Sequence, residues 1–202
     1  MNLEAIKALS YAELGERKIY PHQEVGIKYD HCMRVAALAV NLRKMIFPED
    51  TTHDELLLAV GYLHDIKNGE PEHAQRGADR ARELLEGTDY CTPEEMEEIC
   101  AIIGIHDQRE PDTDRHSRYA KLQQDADIID HKGVIELFAA TLWQANNGGN
   151  FESTANSILK NPHTEGDRNW LNFEQSKKVY DERVEISLST ARRMLEEAAG
   201  EP

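Results

Sequence analysis

The chain has 202 residues, with 23 Lys plus Arg against 38 Asp plus Glu and a formal charge of −15 at pH 7. At 40% hydrophobic and 30% charged residues it is too apolar to stay disordered and too polar to lie within a bilayer, and its sign disfavours duplex nucleic acid and anionic membranes as main partners. The length suits one domain, residues 1–202, and no apolar run approaches the roughly 20 residues of a membrane span. Met1 to Ser10 lack a signal-peptide core, which predicts a cytoplasmic protein. Cys32, Cys91 and Cys100 form no C-x-x-C pair and read as small apolar residues.

Nearly every periodic segment reads as helix. A short amphipathic helix covers about 3–14, and a linker with Pro21 follows. From Tyr29 to Ile46, His31, Val35, Leu38, Leu42 and Met45 share one helix face, and Pro48 ends the run. Asp54 leads into Leu56 to Leu63, apolar nearly all round, as suits the centre of a bundle. After a break at Lys67 to Pro71, a stripe with His73, Gly77, Ala81 and Leu84 reaches about Glu86. Thr92-Pro93-Glu94-Glu95 is a helix start with a capping box, and Met96, Ile99, Ile103 and His106 share the next face. A polar loop runs from Asp107 to Ser117, with Glu110, Asp112 and Asp114 adding to its acidity. One helix is expected from about Arg118 towards Ala145, stopped by Asn146-Asn147-Gly148-Gly149. A short helix at Phe151 to Lys160, a mobile loop around Pro162 and Gly166, and a last helix over about 171–198 complete an all-α bundle of about six to eight helices. Its core spans about 25–145, with a helical extension over about 151–198.

Ionisable groups stand at the ends of apolar stripes. His31 opens one, and His64-Asp65 closes the most apolar helix. Asp127 shares an azimuth with Val134 and Phe138 on the expected helix, so its carboxylate points where apolar side chains point. A buried carboxylate or imidazole needs a partner, and one cation held by two imidazoles and two carboxylates satisfies all four groups. Such nitrogen and oxygen donors suit Mn, Fe, Co, Ni or Zn better than Mg.

His31, then His64-Asp65 within Gly61-Tyr62-Leu63-His64-Asp65-Ile66, then Asp127 within Gln124-Asp125-Ala126-Asp127-Ile128-Ile129-Asp130 resembles the HD-domain superfamily of metal-dependent phosphohydrolases over about residues 25–145. Order and context carry the likeness, since the bare dipeptide also occurs at His53-Asp54 and His106-Asp107. The resemblance implies an all-α HD-type bundle with His31, His64, Asp65 and Asp127 as ligands of a divalent metal ion. It also implies hydrolysis of a phosphoester or phosphoanhydride in a small phosphorylated substrate, a nucleotide first among them. The Gly-Lys common after the HD pair is replaced by Ile66-Lys67-Asn68-Gly69, so the cyclic-dinucleotide subclass is not assigned.

A second ion would draw on His73 and His106, with Asp65 able to bridge. His73 also reads as a solvent-facing or substrate-contacting residue, and His106 as a cation favoured by a helix C-terminus. Glu70, Glu72 and Asp130 are candidates to orient water, and Lys67 is a further catalytic candidate. Arg34, Lys67 and Arg76 are candidates to hold phosphate. His131, one turn after Asp127, either steadies that carboxylate or simply packs. Trp143 and Trp170 read as core or rim aromatics rather than as platforms for a base. Two other readings stand beside the hydrolase: an HD-type di-iron oxygenase, and a metal-containing nucleotide-binding regulator without turnover. A second copy of the chain is a candidate partner, through the last helix.

Overall fold

The computed structural model describes residues 1–109, 115–161 and 163–201. The acidic-loop positions Glu110, Asp112 and Asp114, and Pro162, lie outside them. The described residues are all-α, without strands, in the order α1 (Leu3–Leu14), α2 (Ile27–Ile46), α3 (Asp54–Leu63), α4 (His73–Leu85), α5 (Pro93–Ile103), α6 (Arg118–Asp130), α7 (Val134–Asn146), α8 (Phe151–Leu159), α9 (His163–Asn169) and α10 (Glu174–Ala198). None of these helices is long and apolar enough to cross a membrane.

α3 is the hub. Leu56, Leu57, Ala59, Val60 and Leu63 are buried, as its all-round apolar sequence requires. It packs on α1, α2, α5 and α6. Gly61 lets α2 and α3 meet closely, because a Cβ there would overlap the backbone of Ala36. The capping box at Thr92 and Glu95 forms as expected, with Pro93 at the first helical position.

α6 is buried over most of its length although much of it is polar, and several of its polar groups hold neighbouring segments. The Gln124 amide donates to the carbonyls of Ile105 and Gln108, both at 2.9 Å. The Asp125 carboxylate accepts from the backbone nitrogens of Asn172 at 2.8 Å and Phe173 at 3.2 Å, which fixes the start of α10. Asp127 and Asp130 face the histidines described below.

Two expectations change. The helix expected from Arg118 towards Ala145 is two helices, interrupted at His131–Gly133. Gly133 has φ of 83°, a left-handed conformation that suits glycine and turns the chain. Val134 and Phe138 therefore do not share a face with Asp127, and they are 67% and 45% exposed. Asp127 is buried, but for a reason other than the stripe. Around Gly166, where a mobile loop is expected, the chain forms α9.

Candidate metal centre

α2, α3, α5 and α6 converge on His31, His64, Asp65, His106 and Asp127, all buried. Three histidines present the same nitrogen to the centre because the other is already engaged. His64 Nδ1 lies 2.9 Å from the Gly61 carbonyl, and His106 Nδ1 lies 2.8 Å from the Ile103 carbonyl. Each carbonyl sits three residues back, at the end of its own helix, and that of Ile103 also accepts from the His106 backbone nitrogen at 3.3 Å. His31 Nδ1 is 2.8 Å from Asp130 Oδ2, and Asp130 is gripped by the Arg34 guanidinium at 3.0 and 2.9 Å. Nδ1 is thus the protonated nitrogen, and Nε2 is left as a lone pair pointing inward.

Asp65 lies between two groups of rings. Its Oδ2 is 3.7 Å from His31 Nε2 and 3.9 Å from His64 Nε2, while its Oδ1 is 3.6 Å from His106 Nε2 and 3.7 Å from His73 Nε2. Asp127 Oδ1 is 3.1 Å from His31 Nε2 and 3.8 Å from His64 Nε2. The 3.1 Å approach is too poorly aligned for a hydrogen bond. His31 Nε2 and His64 Nε2 are buried without a hydrogen-bond partner among the described residues. Buried acceptor lone pairs facing carboxylate oxygens fit a cation and little else. Ligand atoms of His31, His64 and Asp65 lie within 4.8 Å of one another, as do those of His64, His106 and Asp127, and those of Asp65, His73 and His106.

The electrostatics are those of a tightly coupled cluster: against its own burial, the His64 imidazole is pushed well above its usual range by Cys32, Asp65 and Asp127, so a cation bound there would displace a proton. Burial alone would raise the Asp65 carboxyl, but the neighbouring imidazoles and Lys28 hold it well below the usual carboxylate range. Asp127 behaves likewise, burial being overridden by His31 and His64. Asp130 is pulled to about 2 against its own burial, by His31 and Arg34. Burial and the adjacent His106 push the His73 imidazole down, towards the neutral form a ligand must have.

The sequence reading missed several supports. Lys28, one turn before His31, donates to Asp65 Oδ2 at 2.9 Å. Asn68 donates to both oxygens of Asp65 at 3.1 Å. Arg109 donates to Asp127 Oδ2 at 2.9 Å, leaving Oδ1 for the histidines. The position of Lys28 on the His31 face was a usable signal, whereas Arg109 lies beyond α5 where no periodicity points. His131 steadies the region through the Asp127 carbonyl, 2.8 Å from its Nδ1, and its ring stands 4.9 Å from that of His31.

The other named residues fall elsewhere. Arg34 is engaged with Asp130. Lys67, Glu70 and Arg76 are tied to one another, with Glu70 at 3.5 Å from Lys67 and 3.2 Å from Arg76. Glu72 is exposed and starts α4 with φ of 53°.

The family model of the HD domain matches residues 29–132, the stretch that carries His31, His64, Asp65 and Asp127. The chain belongs to the HD-domain family. This is a family of metal-dependent hydrolases, and the HD residues His64 and Asp65 stand in the middle of the cluster. YpgQ of Bacillus subtilis has the same fold at 19% identity and a TM-score of 0.66, with 98% of this chain and 95% of that chain covered. YpgQ in complex with ADP matches at 18% identity and a TM-score of 0.66, covering 97% of each chain. An HD-superfamily hydrolase of Bacillus thuringiensis matches at 18% identity and a TM-score of 0.70, covering 98% of this chain and 96% of that one. No curated protein sequence matches the chain.

Proposed function

We propose that the protein is a cytoplasmic phosphohydrolase that cleaves a phosphoester or phosphoanhydride bond in a small phosphorylated substrate, a nucleotide first among them. The observation that carries this is the pair of buried, unpartnered Nε2 atoms of His31 and His64 facing Asp65 and Asp127. These four residues would hold a divalent ion, with Mn, Fe, Co, Ni or Zn favoured over Mg by the mixed nitrogen and oxygen set. His73 and His106, across Asp65, would hold a second. Such an ion acidifies water and polarises a phosphoryl oxygen.

The chain's own residues do the rest. Asp130 and Arg34 orient His31 and fix its tautomer. Arg109 positions Asp127 and carries positive charge beside it, which suits an incoming phosphate. Lys28 counters the charge of Asp65 and supplies a second cation. Lys67, Glu70 and Arg76 neutralise one another, which makes Arg109 and Lys28 the stronger candidates for phosphate contact. Glu70, Glu72 and Lys67 remain proposals for catalysis on their place in the sequence alone. The complex of YpgQ with ADP supports a nucleotide as the substrate class.

The Asp65–His73–His106 group favours a dinuclear centre and keeps a di-iron oxygenase as a second reading. Purified protein with Mn²⁺ or Co²⁺ is expected to release phosphate or pyrophosphate from a member of a nucleotide panel. His64→Ala and Asp65→Ala are each expected to abolish that release. Turnover that survives both substitutions would falsify the reading. Two irons per chain, with oxygen consumed and no phosphate released, would replace it with the oxygenase.

A further inference from the structure

Two grooves lie beside the histidine cluster, on the side of α7 to α9. The first has a volume of about 400 Å³ and is lined by Arg109 and His131 from the HD domain and by Asn161 and His163 from beyond it. The second, about 370 Å³, shares His131, Glu136 and Asn161 with the first and runs out past Ala139 and Trp143. Together they form one cleft. Its inner end touches the cluster, since the His131 ring is 4.9 Å from the His31 ring and Arg109 donates to Asp127.

The cleft is graded in charge. Arg109 and His131 stand at the inner end. Glu136 and Asp167 line it too, and buried Lys132 lies 3.6 and 3.1 Å from them, one positive charge shared between two negative ones. The outer end carries His22, Ala139 and an indole, Trp143, that is 47% exposed. α7 is apolar in sequence, yet none of its residues is buried. Leu137 and Ala140 pack on the small core around Ala155, Ile158 and Ala191, whereas Ala139 and Trp143 line the groove and are open to a ligand.

We infer that this cleft receives the nucleoside end of a nucleotide, with Trp143 as the stacking platform for its base. Selection among phosphorylated compounds is then made by the helices that follow the HD domain rather than by the domain itself. The inference rests on the phosphohydrolase reading above and extends it. A phosphate held beside Arg109 points the rest of the molecule outwards, from charged lining to aromatic lining, in the order that a nucleotide presents them. Base stacking on an aromatic ring tolerates any base, so the platform recognises a nucleotide as a class.

Trp170→Phe leaves Trp143 as the one tryptophan, because the chain has two. ADP added to this metal-depleted variant is expected to change its fluorescence saturably, and inorganic pyrophosphate to leave it unchanged. In turnover with Mn²⁺, Trp143→Ala is expected to raise KM for ADP about tenfold, with kcat and the hydrolysis of tripolyphosphate unchanged. Equal responses to ADP and pyrophosphate, or no response to ADP, overturn the cleft assignment, as does an unaltered KM. A saturable response to ADP in a protein that hydrolyses no phosphorylated compound upholds the cleft and overturns the phosphohydrolase reading.

Discussion

α6 buries nearly all of its residues and α3 more than half, and the cluster they help to form belongs to a continuous core that runs from Ile6 to Tyr180. α7 buries none, and the small core beneath α8 is built on Ala155, Ile158 and Ala191. The first region holds the ionisable groups of His31, His64, Asp65, His106 and Asp127 at fixed positions, and fixed positions need dense packing, since isolated charges in a loose core would relax towards water. The second borders a cleft, and a cleft wall needs side chains with room to accept a ligand. The HD match ends just before α7, but the dense core also takes in Ile6, Leu14, Leu171 and Tyr180 from outside that match.

Gly61→Ala tests the dense side hardest. It drives a methyl group into the backbone of Ala36 and shifts the carbonyl that holds His64. A loss of about 3 kcal/mol is expected in urea unfolding, together with weaker metal binding. Asp130→Asn keeps the shape and removes the carboxylate behind His31. Metal affinity by calorimetric titration is expected to fall roughly ten- to a hundredfold. Ile158→Ala strikes the small core and is expected to cost about 2 kcal/mol, at the low end for such a truncation, with metal affinity unchanged. If Ile158→Ala weakens metal binding as much as Asp130→Asn does, the two regions are not separable.

The smallest effect concerns the link between α6 and the loop before α3. Tyr119 donates to Asp50 Oδ2 at 2.7 Å, and this bond leads the influences that lower the Asp50 carboxyl from 3.8 to about 2. A carboxyl depressed on folding adds stability above its unfolded value, and that stability is lost as pH falls through the folded value. The wild-type chain is therefore expected to weaken between about pH 4 and pH 2. Asp50→Asn is expected to remove this part of the slope in acid unfolding curves and to leave metal binding intact.

His31, His64, Asp65 and Asp127 were legible as candidates because the first three stand where buried stripes begin or end, and because the order and neighbours of all four resemble a family. The argument for Asp127 shows the limit of such reasoning. Its burial was inferred from Val134 and Phe138, which lie on another helix and face solvent. Continuity of the helix was assumed, and the left-handed turn at Gly133 breaks it. Lys28 on the His31 face and Asn68 three residues after Asp65 were open to a local reading, but Arg109 was not legible as a support, because it meets Asp127 through the packing of a loop against α6. The same holds for Arg34, whose partner Asp130 lies 96 residues away. One-dimensional periodicity shows which face is buried, but it does not show which charge meets which.

Asp125 extends the reach of the metal centre. Its buried carboxylate holds the backbone of Asn172 and Phe173, two residues along α6 from Asp127. The start of α10 is thus indexed to the same helix that carries a ligand, like a second mark on one ruler. Changes in the length of the intervening chain, from Asn147 to Trp170, are taken up between two pinned points. The end of the chain keeps its register with the chemistry however its connecting segments vary.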